Sequence, residues 1–344
     1  MKLVRNILVG FALVLIGVNC DHGTEPFNPR KLSFSMYTFS NPQIPQFFLN
    51  DIWGTSSKSV YAVGETSGRY GQMWHFDGSN WSEVNFERPI YSGTSYQLTS
   101  VTGFSENNIW AVGTLDYLIG SPVQYYDSSA ILHFDGVQWK DTDVRIDGTL
   151  LKIWGMSPTD IWAGGTKASM LHFDGASWTA TPLPVPAWIS DIKGSASLGV
   201  YATAYYEQNA YFLFHWTGNA WVIADSSREG AYSTEKFGYY GLLAQGDHLY
   251  SVGLGGCYVK TATGWSLLQA ASGGAFTELL GLSGSEFYVG GTGGLFFHYN
   301  GSDFLNLGSF PTTFAVTGFF AADNEVFVSG TELGGTKSFV YIGK

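Results

Sequence analysis

Basic side chains are scarce in this chain: Lys and Arg number 17 against 28 Asp and Glu over 344 residues, a formal net charge of -11 at pH 7. Phosphate contacts need clustered Lys and Arg, so this balance argues against a general nucleic-acid binder. Charged residues of both signs reach only 13%, and no charge block long enough to keep a segment unfolded interrupts the sequence. There are two cysteines, Cys20 and Cys257, too few for a disulfide framework. Paired Cys-x-x-Cys, His-Glu-x-x-His, a phosphate-binding Gly-rich loop followed by Lys-Ser/Thr and a Gly-x-Ser-x-Gly elbow do not occur. No catalytic residue, metal site or cofactor is therefore assigned. What is abundant is aromatic residues, at 17%, and Gly, at 44 positions, the composition of many short strands joined by tight turns.

The one long apolar run lies at the start. "MKLVRNILVGFALVLIGVNC" places Lys2 and Arg5 before residues 7–18 and ends at Cys20, the layout of a secretory signal and too short for a membrane span. "IGVNC" resembles a bacterial lipobox, which implies lipidation of Cys20, export, and attachment to the cell envelope by a lipid anchor only. Residues 1–20 are read as the signal, the polar, proline-containing residues 21–30 as a tether, and 31–344 as one folded domain. Cys257, in "VGLGGCYVK", reads as a small apolar strand residue.

A motif such as "IWAGGTKASMLHFDGASW" from Ile161 looks like a site until it is compared with the rest of the chain. The same order of parts returns from Val60, Ile109, Val200 and Phe287, more weakly from Leu249, and truncated from Val326. Seven units spaced by about forty residues match β-propeller blades. Each divides into four strand candidates. The first ends in Gly ("DIWG", "SVTG", "KIWG"), and the second carries Tyr61, Trp110, Trp162, Tyr201, Tyr250, Tyr288 or Phe327. The third carries a His, and an Asp-Gly turn leads into a fourth that begins with Trp81, Trp139, Trp178, Trp221, Trp265 or Phe304. A residue used for chemistry occurs once, so His75, His133, His172, His215 and His298 and the turn residues Asp77, Asp135 and Asp174 are scaffold. The seventh unit stops after three strands, and "KLSFSMYTF" at 31–39, with apolar Leu32, Phe34 and Met36, is expected to complete it. The fold expected is all-β, a seven-bladed propeller of four-stranded blades closed by an N-terminal strand.

The Gly-Gly, aromatic and Trp spacing resembles kelch repeats, and the Asp-Gly turn followed by Trp resembles the Asp-box of sialidase-like propellers, although "HFDGASW" is one residue shorter between Asp and Trp and lacks the Ser. From residue 31 onward the chain resembles secreted bacterial propellers built from "DIWAVG…HFDGxxW" repeats. That resemblance implies a fold that hosts enzymes and binding platforms alike.

The non-repeating segments point to one face. The turns between first and second strands and the Asp-Gly turns are short and uniform, whereas the second-to-third loops and the blade connections vary and lengthen. Those longer segments hold Tyr91, Tyr96, Tyr117, Tyr125, Tyr126, Tyr205, Tyr206, Tyr232 and Tyr239, together with Trp188, Arg69, Arg88, Arg145 and Arg228. Arg69, Tyr91, Tyr96, Tyr117, Tyr125, Tyr126, Tyr205, Tyr206, Arg228 and Tyr232 are the candidate binding residues, since loops on a rigid scaffold carry function and tyrosine suits sugar rings and protein surfaces. The leading expectation is a monomeric, non-catalytic binding module whose partner is a glycan or an envelope protein. The alternative is a glycan-cleaving enzyme that uses the arginines with Asp116, Asp127, Glu207, Glu229 and Glu235.

Overall fold

A computed structural model of the chain describes residues 27–39, 46–66, 72–86, 95–119, 124–206, 210–228, 236–308, 310–334 and 337–344; at 117–119, 124–126, 169 and 228 it describes the backbone alone. The described residues form seven four-stranded antiparallel sheets, a seven-bladed β-propeller. Blade 1 consists of Phe47–Ser56, Ser59–Thr66, Met73–Phe76 and Trp81–Glu83, and the next five blades repeat that order. In blade 7 the strands Phe314–Ala322, Glu325–Glu332 and Ser338–Gly343 are joined by Phe34–Phe39, which pairs antiparallel with Ser338–Gly343. The N-terminal strand thus closes the ring as its composition predicts. Its alternation is subtler than the sequence suggests. Phe34 packs toward blade 6 and Tyr37 and Phe39 toward blade 1, so the strand is gripped from both sides, while Met36 is 52% exposed.

Each of seven apolar clusters fills one interface between neighbouring blades. The second-strand aromatic of one blade meets the fourth-strand Trp of the next: Tyr61 lies 5.9 Å from Trp139, Trp110 5.7 Å from Trp178 and Trp162 5.1 Å from Trp221, all edge to face. Nearer the axis, the Trp53 ring covers Gly103 of the next blade, where an added Cβ would lie 2.6 Å from it, and Trp154 covers Gly194 in the same way. The Gly that ends each "IWG"-type strand is a seat for its neighbour's ring.

The histidines are bracing. His133 stacks on Trp110 at 3.9 Å and His172 on Trp162 at 4.0 Å, each one strand away. Asp160 Oδ1 accepts hydrogen bonds from Trp162 Nε1 at 2.9 Å and His172 Nε2 at 2.8 Å, and Asn108 engages Trp110 and His133 alike. In the turns, Asp77, Asp135 and Asp174 each accept two backbone N–H groups through Oδ1. Those bonds hold the Asp77 and Asp174 carboxyls below their ordinary range, and at Asp135 the Lys140 ammonium leads, with the same bonds adding to it. The glycine that follows each Asp has φ between +90° and +94°, a region that L residues seldom enter.

Candidate recognition surfaces

Six of the seven innermost strands carry a β-bulge at the same place, at Leu49/Asp51, Leu98/Ser100, Leu150/Lys152, Ile189/Asp191, Phe276/Glu278 and Val316/Gly318. The extra residue turns sideways and bonds the next blade: Asn50 Nδ2 donates to Leu98 O at 2.9 Å, Thr99 Oγ1 to Leu150 O at 2.6 Å, and Thr277 Oγ1 to Val316 O at 2.9 Å. The residue after the bulge also serves a neighbour. Asp51 Oδ2 accepts Ser100 Oγ and Val101 N, and Asp191 Oδ2 accepts Leu242 N. Across the axis, Lys152 of blade 3 reaches Glu278 of blade 6 at 3.1 Å, the side chains 17% and 19% exposed. Lys193 pairs with Asp191 at 2.9 Å. Burial works against the Lys152 ammonium, yet Glu278, Asp51 and Asp191 outweigh it and hold its pKa above the ordinary value. Burial, reinforced by Asp191 and Asp51, raises the Glu278 carboxyl against the pull of Lys152.

The loop-rich face presents a continuous aromatic group at blades 4 and 5. Trp188, 45% exposed, stands edge-on to Tyr205 at 5.4 Å. Tyr205 lies 6.0 Å from Tyr239, which stacks on Tyr211 at 3.9 Å and touches Tyr240 at 4.6 Å. Burial and hydrogen bonding to Tyr240 and Tyr211 raise the Tyr239 phenol well above its usual range, and the group is flat and pre-packed. Trp188 opens its strand directly after the proline-containing stretch 182–186, and Tyr205 and Tyr206 end the strand paired beside it.

The other candidates fall elsewhere. Tyr96 is fully buried; its hydroxyl donates to Asp141 Oδ2 at 2.6 Å, and Asp141 is bound by both terminal nitrogens of Arg145. Tyr96 is therefore a core residue of the interface between blades 1 and 2, a correction to its place among the binding residues, and Arg145 is committed to holding Asp141. Tyr117 pairs with Tyr126 and Leu118 with Tyr125 along a long hairpin of blade 2, and Arg228 ends the fourth strand of blade 4 opposite Ala210. Arg69, Tyr91, Tyr232 and Cys20 lie outside the described residues, as do Arg88, Glu207, Glu229 and Glu235. Sequence reasoning passed over Tyr211, Tyr240 and Glu65. The Glu65 carboxyl is raised by burial and by the nearby Asp116, but Asp116 already accepts Gln97 Nε2 at 2.7 Å.

No protein-family model matches the sequence, and no curated protein matches it. Solved structures share the fold. A structure titled YCF48 bound to D1 peptide superposes with a TM-score of 0.60 at 15% identity, covering 89% of this chain and 94% of that one. The extracellular domain of the hybrid two-component system BT4673 from B. thetaiotaomicron gives 0.62 at 10% identity, covering 90% of this chain and 39% of that one. The Pan2 WD40 domain of Neurospora crassa gives 0.57 at 10%, covering 90% and 95%.

Proposed function

We propose that the protein is a non-catalytic recognition module of the cell envelope that takes a protein or glycan partner on its loop-rich face. The half-exposed Trp188 ring, propped by Tyr205 and the stacked pair Tyr211–Tyr239, carries this reading. A large aromatic ring on a rigid strand end loses little freedom when covered, which is the character of an interface anchor. A protein partner is favoured over a glycan, because the propellers of this shape include one in complex with a peptide.

The path of the chain supports envelope attachment with that face outward. Residues 27–33 join the ring on the opposite, regular face, where Arg30 pairs with Asp303 in the last hairpin turn of blade 6 at 3.0 Å. Six residues lie between Cys20 and Phe27, a reach of about 25 Å when extended. A lipid on Cys20 would hold the regular face near the membrane and leave the aromatic face free. The test is a capture screen with the intact protein against glycan arrays and envelope-protein extracts, repeated with Trp188→Ala and Tyr205→Ala. Retention of an unaltered ligand, weakened at least tenfold by Trp188→Ala with the Tm kept, is the expected result; ligand cleavage, or capture indifferent to both variants, would overturn the reading.

A further inference from the structure

A lateral groove of about 550 Å³ runs between blades 1 and 2 and is lined by Tyr61, His75, Ser82, Phe86, Gln138 and Trp139. The same position recurs between blades 6 and 7, where strand pairing makes the correspondence explicit. Tyr61 faces His75 across its blade as Tyr288 faces His298. Trp139 opens the last strand of blade 2 as Phe34 opens that of blade 7. Phe86 packs edge-on to Tyr96 at 5.4 Å, and Phe310 packs on Phe314 at 5.1 Å.

The groove between blades 6 and 7 is filled by the chain itself. Phe27 packs in the cluster of Tyr288, Phe310 and Phe34. Tyr288 Oη donates to Pro29 O at 2.9 Å, and Arg30 Nε donates to His298 Nδ1 at 3.1 Å while its guanidinium grips Asp303. A Phe-Asn-Pro-Arg segment, turned at Asn28–Lys31 by Lys31 N donating to Asn28 O at 2.9 Å, therefore fits this type of groove through one backbone carbonyl, one cation and one aromatic ring.

We propose that the groove between blades 1 and 2 is a second docking site, distinct from the loop-rich face, which binds a turn-forming, proline-containing basic peptide of a partner protein as blades 6 and 7 bind Phe27–Arg30. Tyr61 supplies the phenol for the peptide carbonyl, and among the described residues no hydrogen bond occupies its hydroxyl. His75 meets Ser59 Oγ through Nε2 at 3.3 Å; in the tautomer whose Nε2 donates to that hydroxyl, Nδ1 is the acceptor that His298 offers Arg30. Acidic charge lies at both grooves, although Asn80 holds the turn position of Asp303 and Asp77 that of Asn300. His298 feels two acids, Glu286 and Asp303, with Arg30 between them; the charged groups acting on His75 are Asp77 and Glu106, both acidic. The site calls for a cation in the occupant.

The probe is a synthetic peptide of residues 26–32, PFNPRKL, titrated into the full-length protein by calorimetry. Saturable binding is expected, weakened roughly fivefold by Tyr61→Phe, which removes one hydrogen bond, and at least tenfold by Ser82→Arg, which places bulk and positive charge on an exposed strand position at the groove. Replacing the peptide Arg by Ala should also cost severalfold. Trp188→Ala should leave this binding unchanged, so failure here and failure of the loop-face reading remain separable. Absence of saturable binding to a folded protein would overturn the proposal. So would loss of binding in Asp303→Ala but not in Ser82→Arg, because the peptide would then be displacing Phe27–Arg30 from its own groove.

Discussion

Asp160 shows why residues that look catalytic are structural. One carboxylate oxygen accepts the Trp162 indole and the His172 imidazole, and it stands immediately before the "IW" that marks the repeat. Asp160→Ala should leave both donors without their acceptor inside a packed interface and lower unfolding free energy by about 1–3 kcal/mol; Asp160→Asn, which keeps an oxygen as Asn108 does in blade 2, should recover most of it. Urea denaturation of the two variants measures the difference. A loss of ligand capture by Asp160→Ala with stability unchanged would contradict the bracing role. The repeat made these assignments legible from sequence, since recurrence separates scaffold from chemistry. Tyr96 was not legible in the same way because it follows an irregular connection and reads as loop. Its register gives it away in the fold: two residues before Leu98, the last paired residue ahead of the bulge, it occupies the place of Phe47 before Leu49 and Phe314 before Val316, positions that face the core.

The strand is where the "AVG" glycine finds its explanation. The bulge in the first strand pushes a carbonyl against the second strand, and a Cβ on Gly64, Gly113, Gly165 or Gly291 would collide with Phe48 O, Gln97 O, Thr149 O or Ala275 O respectively. The colliding atom is backbone, fixed by the ladder that joins the first strand to the second, so it has little room to retreat. Gly113→Ala is expected to cost on the order of 2–4 kcal/mol. Gly218→Ala, at a turn position with φ +96° and open space where the Cβ would go, should cost only about 1 kcal/mol of backbone strain. Thermal unfolding of the pair checks the ranking, and equal losses would show that clash is not what selects Gly113. The sequence displays this glycine in most units and gives no reason for it, because the reason is a carbonyl in another strand. The closing strand lies at the opposite extreme: its pairing was legible from a unit one strand short, while Met36, assigned to its apolar face, lies outward because only part of that face is covered.

At the scale of the ring, seven blades and their order follow from the repeat, but contacts across the axis do not, since nothing local connects residues 126 positions apart. Lys152 and Glu278 look like irregularities in their units; in the fold they join blades 3 and 6 through the channel. Deleting one partner leaves a charge in a poorly solvated place, whereas replacing both removes the problem. Lys152→Met is therefore expected to destabilise by about 3–5 kcal/mol at pH 8, and Lys152→Met with Glu278→Leu to restore most of that loss. The pH dependence distinguishes this from simple packing damage. The Glu278 carboxyl is raised above its ordinary 4.5, so it binds a proton more readily folded than unfolded; the stability from that preference is full below pH about 4.5 and is lost as pH rises through the raised value. Removing Lys152 takes away the cation that opposed the rise, which makes the ionised carboxylate costlier still beside Asp51 and Asp191. The Lys152→Met deficit should thus shrink markedly at pH 5, where Glu278 can take up its proton, and the double variant should lack this recovery. Denaturant titrations at the two pH values decide it: a deficit equal at pH 5 and pH 8 would mean that Lys152 contributes only its aliphatic stem to the channel.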